Sequence, residues 1–428
     1  MRKSHKLEHG PPFDCIALLL QGGGALGAYQ AGVYEALAEA DLWPDWVVGT
    51  SIGGINSAII AGNTRERRVA KLREFWELVS CSPFGFDGDL GPLLVRGDAA
   101  RAVAQQMSAI AATILGVPGF YAPRIPSVLF QLPGTLEATS FYDTTALKAT
   151  LERIVDFDLI NSRSHDVRLS LGSVNARSGQ LVYFDSTTGT IRAEHVMASG
   201  ALPPWFPGVE IDGEYYWDGG VVSNTPLEWL ARHRLPDTLA FQVDLWAAPG
   251  ELPKNVPQVM TRMKDILNSS RTIYRTDGYK EINHLYATLF RFLGQVPEEF
   301  KRGEDAEYLM SVARRSVHHL VNLVYRPTSA EGASKDNEFS RRSMEERWLA
   351  GYRDTVQALR HSDVLEPAAG CDAGIFVFDF PMDGGGGAPL TETATRQHPH
   401  GASDLPPRAS APRRVPLARE VPLAFFFL

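Results

Sequence analysis

The sequence predicts an α/β protein whose central sheet contains parallel strands covered by helices. Two successive strand, glycine turn and helix units support this prediction. In the first, a strand over 14–20 leads into QGGGALGAYQAGVYEALAEA; in the second, a strand over 46–48 leads into GTSIGG and a helix that ends near Gly62. Repeated units of this kind favour parallel strands, because each helix returns the chain to start the next strand in the same direction.

Further strands and helices are expected downstream. Apolar runs predict strands over 167–175, 181–184, 238–245 and 374–380. Periodic apolar patterns predict helices over 65–79, 144–155 and 225–234, and long helical segments between 256 and 360. The run YLMSVARRSVHHLVNLVY over 308–325 is assigned to these helices.

Composition divides the chain into four parts. A polar leader over 1–12 precedes the main α/β domain over 13–250, which contains an irregular insert over 81–141. A mostly helical C-terminal extension follows over 251–382. The remaining residues, 383–428, are rich in Gly, Pro and Arg and lack periodicity, so a disordered tail is expected there.

Part of the insert, GVPGFYAPRIPSVLFQLPG over 116–134, carries apolar residues without helical or strand spacing. Its four prolines keep the segment extended and out of the sheet. Two interpretations stay open. The segment is either ordinary cover for the domain, or a cap that lines a binding pocket or touches a lipid surface.

Charge and cysteine content limit the classes of partner and site. A formal net charge of -8 among 428 residues disfavours a nucleic-acid partner. Three scattered cysteines, Cys15, Cys81 and Cys371, form neither a disulfide framework nor a zinc motif, so a reducing, cytoplasmic location is predicted and no metal is expected. No apolar stretch reaches the ~20 residues that span a bilayer. Composition does not fix an oligomeric state.

The second glycine turn is a candidate nucleophile elbow. Gly49, Ser51 and Gly53 fit the GxSxG pattern between a strand and a helix. Such a turn lifts a serine hydroxyl above the sheet edge, and the helix that begins there places a positive dipole end where negative charge develops. The pattern therefore predicts Ser51 as a nucleophile.

The first glycine turn supports three interpretations. Gly22, Gly23, Gly24 and Gly27 satisfy GxGxxG after a strand, which is typical of a dinucleotide site, but no acidic residue ends the second strand. The same glycines also suit an oxyanion hole, or simply a tight turn. The adjacent serine elbow favours the oxyanion hole.

A serine nucleophile needs a base, and the segment EYYWDGG offers Asp218. Here the acid precedes Gly219 and Gly220. The alternative is a hairpin turn, because Asp-Gly is a strong hairpin signal. Local sequence leaves both interpretations open.

GGGALG, GTSIG and DGG, in this order, resemble the glycine-rich, GxSxG and DG[AG] motifs of the patatin-like phospholipases. ASGALPPWFP before Asp218 is also similar to that family, and the resemblance covers about residues 16–244. It implies a three-layer α/β/α sandwich, a Ser51–Asp218 dyad, lipid acyl-ester substrates, no cofactor, and transient contact with a lipid surface. Residues beyond 250 resemble the C-terminal extension of a bacterial subgroup. Leu26 departs from the motif, which commonly carries Arg or Lys there, so help with a phosphate headgroup is in doubt.

In a Ser-Asp dyad the aspartate itself must act as the base. An ordinary Asp, with a pKa of about 3.9, is a poor base for a serine hydroxyl. Asp218 must lie in a water-poor site, and four aromatic neighbours are expected to provide it: Phe206, Tyr215, Tyr216 and Trp217. A Ser-Asp-His triad competes, with His284, His318, His319 or His361 as the imidazole. A nucleotide-binding oxidoreductase and a non-catalytic lipid-binding module are the other functions left open.

Overall fold

The computed structural model describes residues 5–7, 10–80, 98–233, 235–313, 316–327, 334–366 and 374–380. Its strands are β1 (Cys15–Leu20), β2 (Trp46–Thr50), β3 (Ala122–Pro123), β4 (Tyr142–Asp143), β5 (Arg168–Asn175), β6 (Leu181–Asp185), β7 (Val209–Ile211), β8 (Glu214–Asp218), β9 (Thr238–Asp244), β10 (Val317–Val324) and β11 (Gly374–Asp379). Its α-helices are α1 (Ala28–Glu39), α2 (Ile52–Ala61), α3 (Arg65–Val79), α4 (Asp98–Leu115), α5 (Thr145–Ile154), α6 (Phe157–Ile160), α7 (Ala193–Ser199), α8 (Leu227–Ala231), α9 (Val256–Gln295), α10 (Glu304–Val312), α11 (Arg341–Leu359) and α12 (Ser362–Leu365). Short 3-10 segments include Gly24–Gly27, Gly219–Val221 and Lys335–Asn337.

One mixed sheet organises the fold. Its order is β11-β10-β9-β1-β2-β5-β8-β7, and β6 also pairs with β5. Neighbours from β11 to β5 run parallel, whereas β6, β7 and β8 are antiparallel. Leu20 of β1 lies in register with Gly49 of β2 and Val243 of β9. The loops that follow these three strands therefore meet at the carboxyl edge of the sheet, where ligands bind in open α/β sheets.

Helices cover both faces of the sheet. Leu18 and Leu20 of β1 belong to a core that includes residues of α1, α2, α3 and α11. Ala17 and Leu19 point to the opposite face, where they pack with residues of α8 and α9. This alternation follows from the two-residue period of a strand. The predicted three-layer α/β/α architecture is confirmed.

The C-terminal region belongs to the same sheet. β10 pairs with β9, and β11 pairs with β10, both in parallel. Helices are present over 251–382 as predicted, but the assignment of 308–325 to one helical run is wrong, because the chain there forms α10 and then β10. VHHLVNLV is a short, largely buried apolar run, and periodicity alone cannot distinguish such a strand from a helix.

The predicted irregular insert over 81–141 is partly wrong. Residues 98–115 form the 18-residue helix α4. Val103, Met107, Ile110 and Ile114 recur there at helical spacing, which is the signal that distinguishes this helix from the proline- and glycine-rich residues on either side of it. Residues 81–97 lie outside the described ranges.

The segment over 116–134 divides into a buried and an exposed part. Val117, Phe120 and Tyr121 are at most 7% exposed. Further along, Leu129, Phe130 and neighbouring apolar side chains project into solvent. Their exposed fractions are 92% for Ile125, 85% for Leu129, 79% for Phe130 and 74% for Leu132. We call these four residues the apolar cap tip.

The two ends of the chain lie largely outside the described residues. The predicted leader over 1–12 is described only at 5–7 and 10–12, and the predicted disordered tail over 383–428 is not described. Among helices in the described part of the chain, none is long and apolar enough to cross a membrane.

Helices α1 and α11 pack backbone to backbone. A Cβ atom added at Gly32 would overlap the carbonyl of Trp348, and one added at Gly351 would overlap the carbonyl of Tyr29. The crossing is reinforced by a 2.8 Å hydrogen bond from the Tyr29 hydroxyl to Asp354. The C-terminal region is thus packed tightly against the first βα unit.

We expect Gly351→Ala to lower the free energy of unfolding by about 1–3 kcal/mol, because the new methyl group forces the two helices apart. Urea unfolding measures the change. Gly278→Ala is the matched control, since Gly278 lies in α9 with nothing within 4 Å of the added Cβ. This control should be neutral or stabilise by up to about 1 kcal/mol. A neutral Gly351→Ala would contradict the close packing.

Candidate active site

A cavity of about 460 Å³ opens at the carboxyl edge of β1 and β2. Ser51, Asp218 and the glycines Gly22, Gly23 and Gly24 line it together. The structure therefore brings the three sequence motifs to one place, although more than 160 positions separate the second motif from the third. This volume is within the range of small-molecule binding sites.

Ser51 occupies a strained turn between β2 and α2. Its backbone has φ 56 and ψ -127, a conformation that non-glycine residues rarely adopt. The turn is possible because a Cβ at Gly49 would overlap the carbonyl of Gly53, and one at Gly53 would overlap the carbonyl of Leu20. Both positions must therefore be glycine, because other backbone atoms approach too closely to leave room for a side chain. The turn has the form of a nucleophile elbow.

Ser199 holds this elbow in place. The Ser51 N–H donates to the Ser199 carbonyl at 3.0 Å, and the Ser199 hydroxyl donates to the Gly172 carbonyl of β5 at 2.8 Å. Helix α2 begins at the next residue, Ile52, so its first N–H groups point toward the space above the serine. Ser199 was not selected from the sequence, although it lies in the segment ASGALPPWFP.

Asp218 ends β8 and faces Ser51. Its side chain is 2% exposed and accepts hydrogen bonds from the Ser51 side chain and, at 2.7 Å, from the Gly220 N–H. Burial raises its pKa to about 6, even though both hydrogen bonds lower the pKa. An acid with this pKa is half ionised at about pH 6 and mostly ionised at neutral pH, and it is more basic than an ordinary Asp, which suits a general base.

The DGG segment is not a hairpin. Asp218 instead caps the 3-10 segment Gly219–Val221, which leads toward α8. A Cβ at Gly219 would press against the backbone of Gly172 in β5. The two glycines therefore let the chain turn sharply behind the acid while its carboxylate stays against Ser51.

The prediction that four aromatic neighbours keep water away from Asp218 is only partly correct. Phe206 lines the cavity, but Tyr215 is 42% exposed and its hydroxyl contacts Glu210 at 3.1 Å. Side chains alternate along a strand, so the residues of EYYWD point to different faces of the sheet. Tight packing at the β5–β8 junction accounts for the burial of Asp218.

The first glycine turn forms a loop that lines the cavity beside Ser51. Asn224 holds Gly22 by a reciprocal pair of hydrogen bonds, of 3.1 and 2.9 Å. In the described part of the chain, the N–H groups of Gly23 and Gly24 have no hydrogen-bond partner. Two neighbouring free amides beside a serine hydroxyl can accept the negative charge of an oxyanion.

Gly27 is separated from the other three glycines. It is buried, does not line the cavity, and a Cβ there would overlap the side chain of Ile52. Its role is therefore close packing of the 3-10 segment on α2. Leu26 is also fully buried, in the core beside α1, so its side chain does not reach the cavity.

The histidines weighed for a triad lie away from Ser51. His318 and His319 are buried near the amino end of β10, where His318 is in register with Thr238, and Thr238 with Cys15. Cys15 lies five residues, or about 16 Å, before the carboxyl end of β1. His284 is exposed on α9, and the His361 ring packs against Phe380. No histidine in the described ranges lines the cavity.

The cavity has two chemically different walls. Of the seven aromatic side chains that line the cavity in the described part of the chain, Trp246 lies against Gly22, and the other six contact one another and form the aromatic wall: Phe120, Tyr121, Tyr142, Trp205, Phe206 and Phe339. Polar side chains form the other: Asn224, Lys264, Asn268, Ser334, Asp336 and Asn337. Most of the polar wall comes from α9 and the Lys335–Asn337 segment, and no local sequence pattern indicated it.

Comparison with known proteins gives the family. A family model described as patatin-like phospholipase matches residues 18–231, half of the chain. The chain belongs to the patatin-like phospholipase family. A second model, described as patatin phospholipase, matches residues 266–369. The first match contains Ser51 and Asp218 and the second contains Asn268 and Asp336, so both matched regions of this patatin-like protein line one cavity.

Individual relatives match over limited segments. The chain is 25% identical over 218 residues to patatin-like phospholipase domain-containing protein 7 of Rattus norvegicus, which covers 50% of this chain and 12% of the relative. It is 40% identical over 77 residues to a patatin-like phospholipase domain-containing protein of Cryptococcus neoformans, which covers 17% of this chain and 9% of the relative. The chain thus spans a small part of the length of these relatives.

Solved structures show a more distant similarity. VipD from Legionella pneumophila aligns with a TM-score of 0.34 and 15% identity, over 83% of this chain and 69% of that chain. The type III effector protein ExoU aligns with a TM-score of 0.32 and 14% identity, over 83% of this chain and 54% of that chain.

Proposed function

We propose that this patatin-like protein hydrolyses acyl esters of lipids, with Ser51 as nucleophile and Asp218 as its base. The observation that carries the proposal is the buried carboxyl of Asp218, which accepts a hydrogen bond from the Ser51 side chain and has its pKa raised to about 6. Membership of the patatin-like phospholipase family supports lipid esters as the substrate class.

The proposed reaction runs through an acyl-enzyme. Ser51 Oγ attacks the ester carbonyl while the Asp218 carboxylate takes its proton, and the N–H groups of Gly23 and Gly24 hold the oxyanion. Collapse of this intermediate expels the alcohol, which receives the proton from Asp218. Asp218 then deprotonates the water that attacks the acyl-enzyme, and it returns that proton to Ser51 Oγ as the C–Oγ bond breaks and the fatty acid is released. The steps require no metal ion or cofactor.

The alternatives have less support. A triad needs an imidazole between Asp218 and Ser51, but these two side chains are already hydrogen-bonded to each other. A dinucleotide site needs an acid after the second strand, where Thr50 and Ser51 stand. A non-catalytic lipid-binding role would not require the strained backbone conformation of Ser51.

We also propose that the apolar cap tip contacts a lipid surface during turnover. Ile125, Leu129, Phe130 and Leu132 are each at least 74% exposed, which is unusual for four neighbouring apolar side chains. Phe120 and Tyr121 of the same segment join the aromatic wall. One segment therefore links exposed apolar surface to the cavity and offers a path for an acyl chain. A cytoplasmic location, with peripheral contact at membranes, remains our prediction.

Ser51→Ala should reduce ester hydrolysis by ~10⁵–10⁶, and Asp218→Asn nearly as much, because a dyad has no second base. Fluorophosphonate labelling followed by peptide mapping should modify Ser51 in the wild-type protein. The measurement is turnover of a p-nitrophenyl ester by folded variants, with far-UV circular dichroism as the check on folding.

Histidine variants provide the control for the dyad. These variants should retain turnover within a few-fold of the wild type: His284→Ala, His361→Ala, His318→Gln and His319→Gln. A folded histidine variant as inactive as Asp218→Asn would replace the dyad by a triad. Labelling at a serine other than Ser51 would remove the nucleophile assignment.

Changing Leu129, Phe130 and Leu132 together to Ser should reduce turnover of long-chain phospholipid vesicles at least ~10-fold, because the apolar contact with the lipid surface is lost. Turnover of a short soluble ester should change less than about two-fold, since these exposed side chains contribute little to folding. Initial rates on the two substrates measure the difference.

The matched control for the cap tip uses apolar side chains that are exposed far from the cavity. Leu285 and Phe292 of α9 are each 61% exposed and lie about 30–40 Å along the helix from Lys264. Changing both to Ser should leave the vesicle rate unaltered. Equal losses on vesicles and on the soluble ester would leave the cap tip as ordinary cover.

A further inference from the structure

The polar wall of the cavity includes a lysine from α9. Among the described residues that line the cavity, Lys264 is positively charged, and Asp218 and Asp336 are negatively charged. Asp218 is already assigned to Ser51. Lys264 and Asp336 are therefore the charged groups available to recognise a polar part of the substrate.

Lys264 and Asp336 form an ion pair at the surface of this wall. The Lys264 Nζ lies 3.0 Å from both carboxylate oxygens of Asp336. The two side chains are 41% and 29% exposed. Partly exposed pairs of this kind contribute little to stability, so an anion that enters the cavity can share the ammonium group at small cost.

The pair is fixed beside the candidate oxyanion loop. The backbone carbonyl of Asp336 packs against Gly24, where an added Cβ would overlap it. From α9, Asn268 accepts a 3.3 Å hydrogen bond from Asn224, which in turn holds Gly22. A substrate group that reaches Lys264 is thereby adjacent to the point where the ester carbonyl would be polarised.

A neighbouring lysine shows the contrasting arrangement. Lys335 is 6% exposed, binds Asp265 at 2.7 Å and lies 5.1 Å from the centre of the Trp246 ring. It does not line the cavity. Its contacts are structural, whereas Lys264 and its ion-pair partner Asp336 both line the cavity in which the substrate would lie.

We propose that Lys264 determines substrate specificity by binding an anionic phosphate group carried by the ester, in competition with the carboxylate of its ion-pair partner Asp336. This proposal rests on the proposed ester hydrolase function and adds the headgroup class to it. The acyl chain lies against the aromatic wall, and the phosphate of a glycerophospholipid lies against the polar wall. An ammonium group is a common partner for phosphate, and charge-assisted contacts are stronger than neutral ones.

The test compares two soluble esters with the same acyl chains. Dihexanoyl phosphatidylcholine, used below its micelle concentration, carries a phosphate, and dihexanoylglycerol does not. The readout is the ratio of kcat/KM for the phospholipid to kcat/KM for the neutral ester. Monomeric substrates keep the apolar cap tip out of the comparison.

Lys264→Met should lower this ratio at least ~10-fold, because it keeps the side-chain length and removes the charge. Lys264→Arg should keep the ratio within about three-fold, because the charge remains. Asp336→Asn should leave the ratio equal or higher, since the ammonium group loses its competing carboxylate. Lys280→Met is the control, because Lys280 lies on the same helix, pairs with Asp277 and does not line the cavity.

The outcomes separate this inference from the proposed function. If Lys264→Met lowers kcat/KM equally for both esters, the specificity assignment is overturned and the proposed hydrolase function stands. The same conclusion follows if Lys264→Arg lowers the ratio of kcat/KM values as much as Lys264→Met does. If Asp336→Asn lowers the ratio as much as Lys264→Met, the phosphate assignment also fails. Hydrolysis of neither ester by the wild-type protein would instead refute the hydrolase.

Discussion

The burial of the Asp218 carboxyl against the Ser51 side chain is the interaction on which the proposed chemistry depends. β8 must pair with β5 so that Asp218 reaches the strained elbow after β2. Because its folded pKa of about 6 exceeds the ordinary value of about 3.9, this group stabilises the fold most below pH 4, and that contribution is lost as pH rises through 6. The protein thus carries a stability cost at neutral pH that the proposed base requires.

Sheet topology explains why the C-terminal region contributes to the cavity. From β1 the chain proceeds to β2 on one side, whereas β9, β10 and β11 extend the sheet on the other. The carboxyl ends of β1 and β9 therefore flank the point where strand order reverses, which is where open α/β sheets bind ligands. Gly22–Gly24 follow β1, and Trp246 follows β9 and donates to the Gly22 carbonyl at 2.9 Å. α9 and the Lys335–Asn337 segment then complete the polar wall.

Sequence patterns within one turn or strand predicted the motifs that build the candidate site. The features that depend on contacts between distant parts of the chain could not be predicted in this way. The glycines around Ser51 and at Gly22–Gly24 are visible in sequence because tight turns demand that residue type. β10 was assigned to a helix because a short buried apolar run lacks a distinguishing period. Lys264 lies on α9 and Asp336 lies in the Lys335–Asn337 segment, so their contact depends on how α9 packs against that segment. No pattern along the chain encodes that contact.

The pH dependence of Ser51 labelling by a soluble fluorophosphonate tests the central claim most directly. In the wild-type protein the labelling rate should rise with pH as Asp218 loses its proton, with a midpoint of about 6 and a plateau above it. Asp218→Asn should label slowly and without this midpoint. A midpoint that persists in Asp218→Asn, or that disappears in a folded histidine variant, would contradict a dyad in which a desolvated Asp218 is the base.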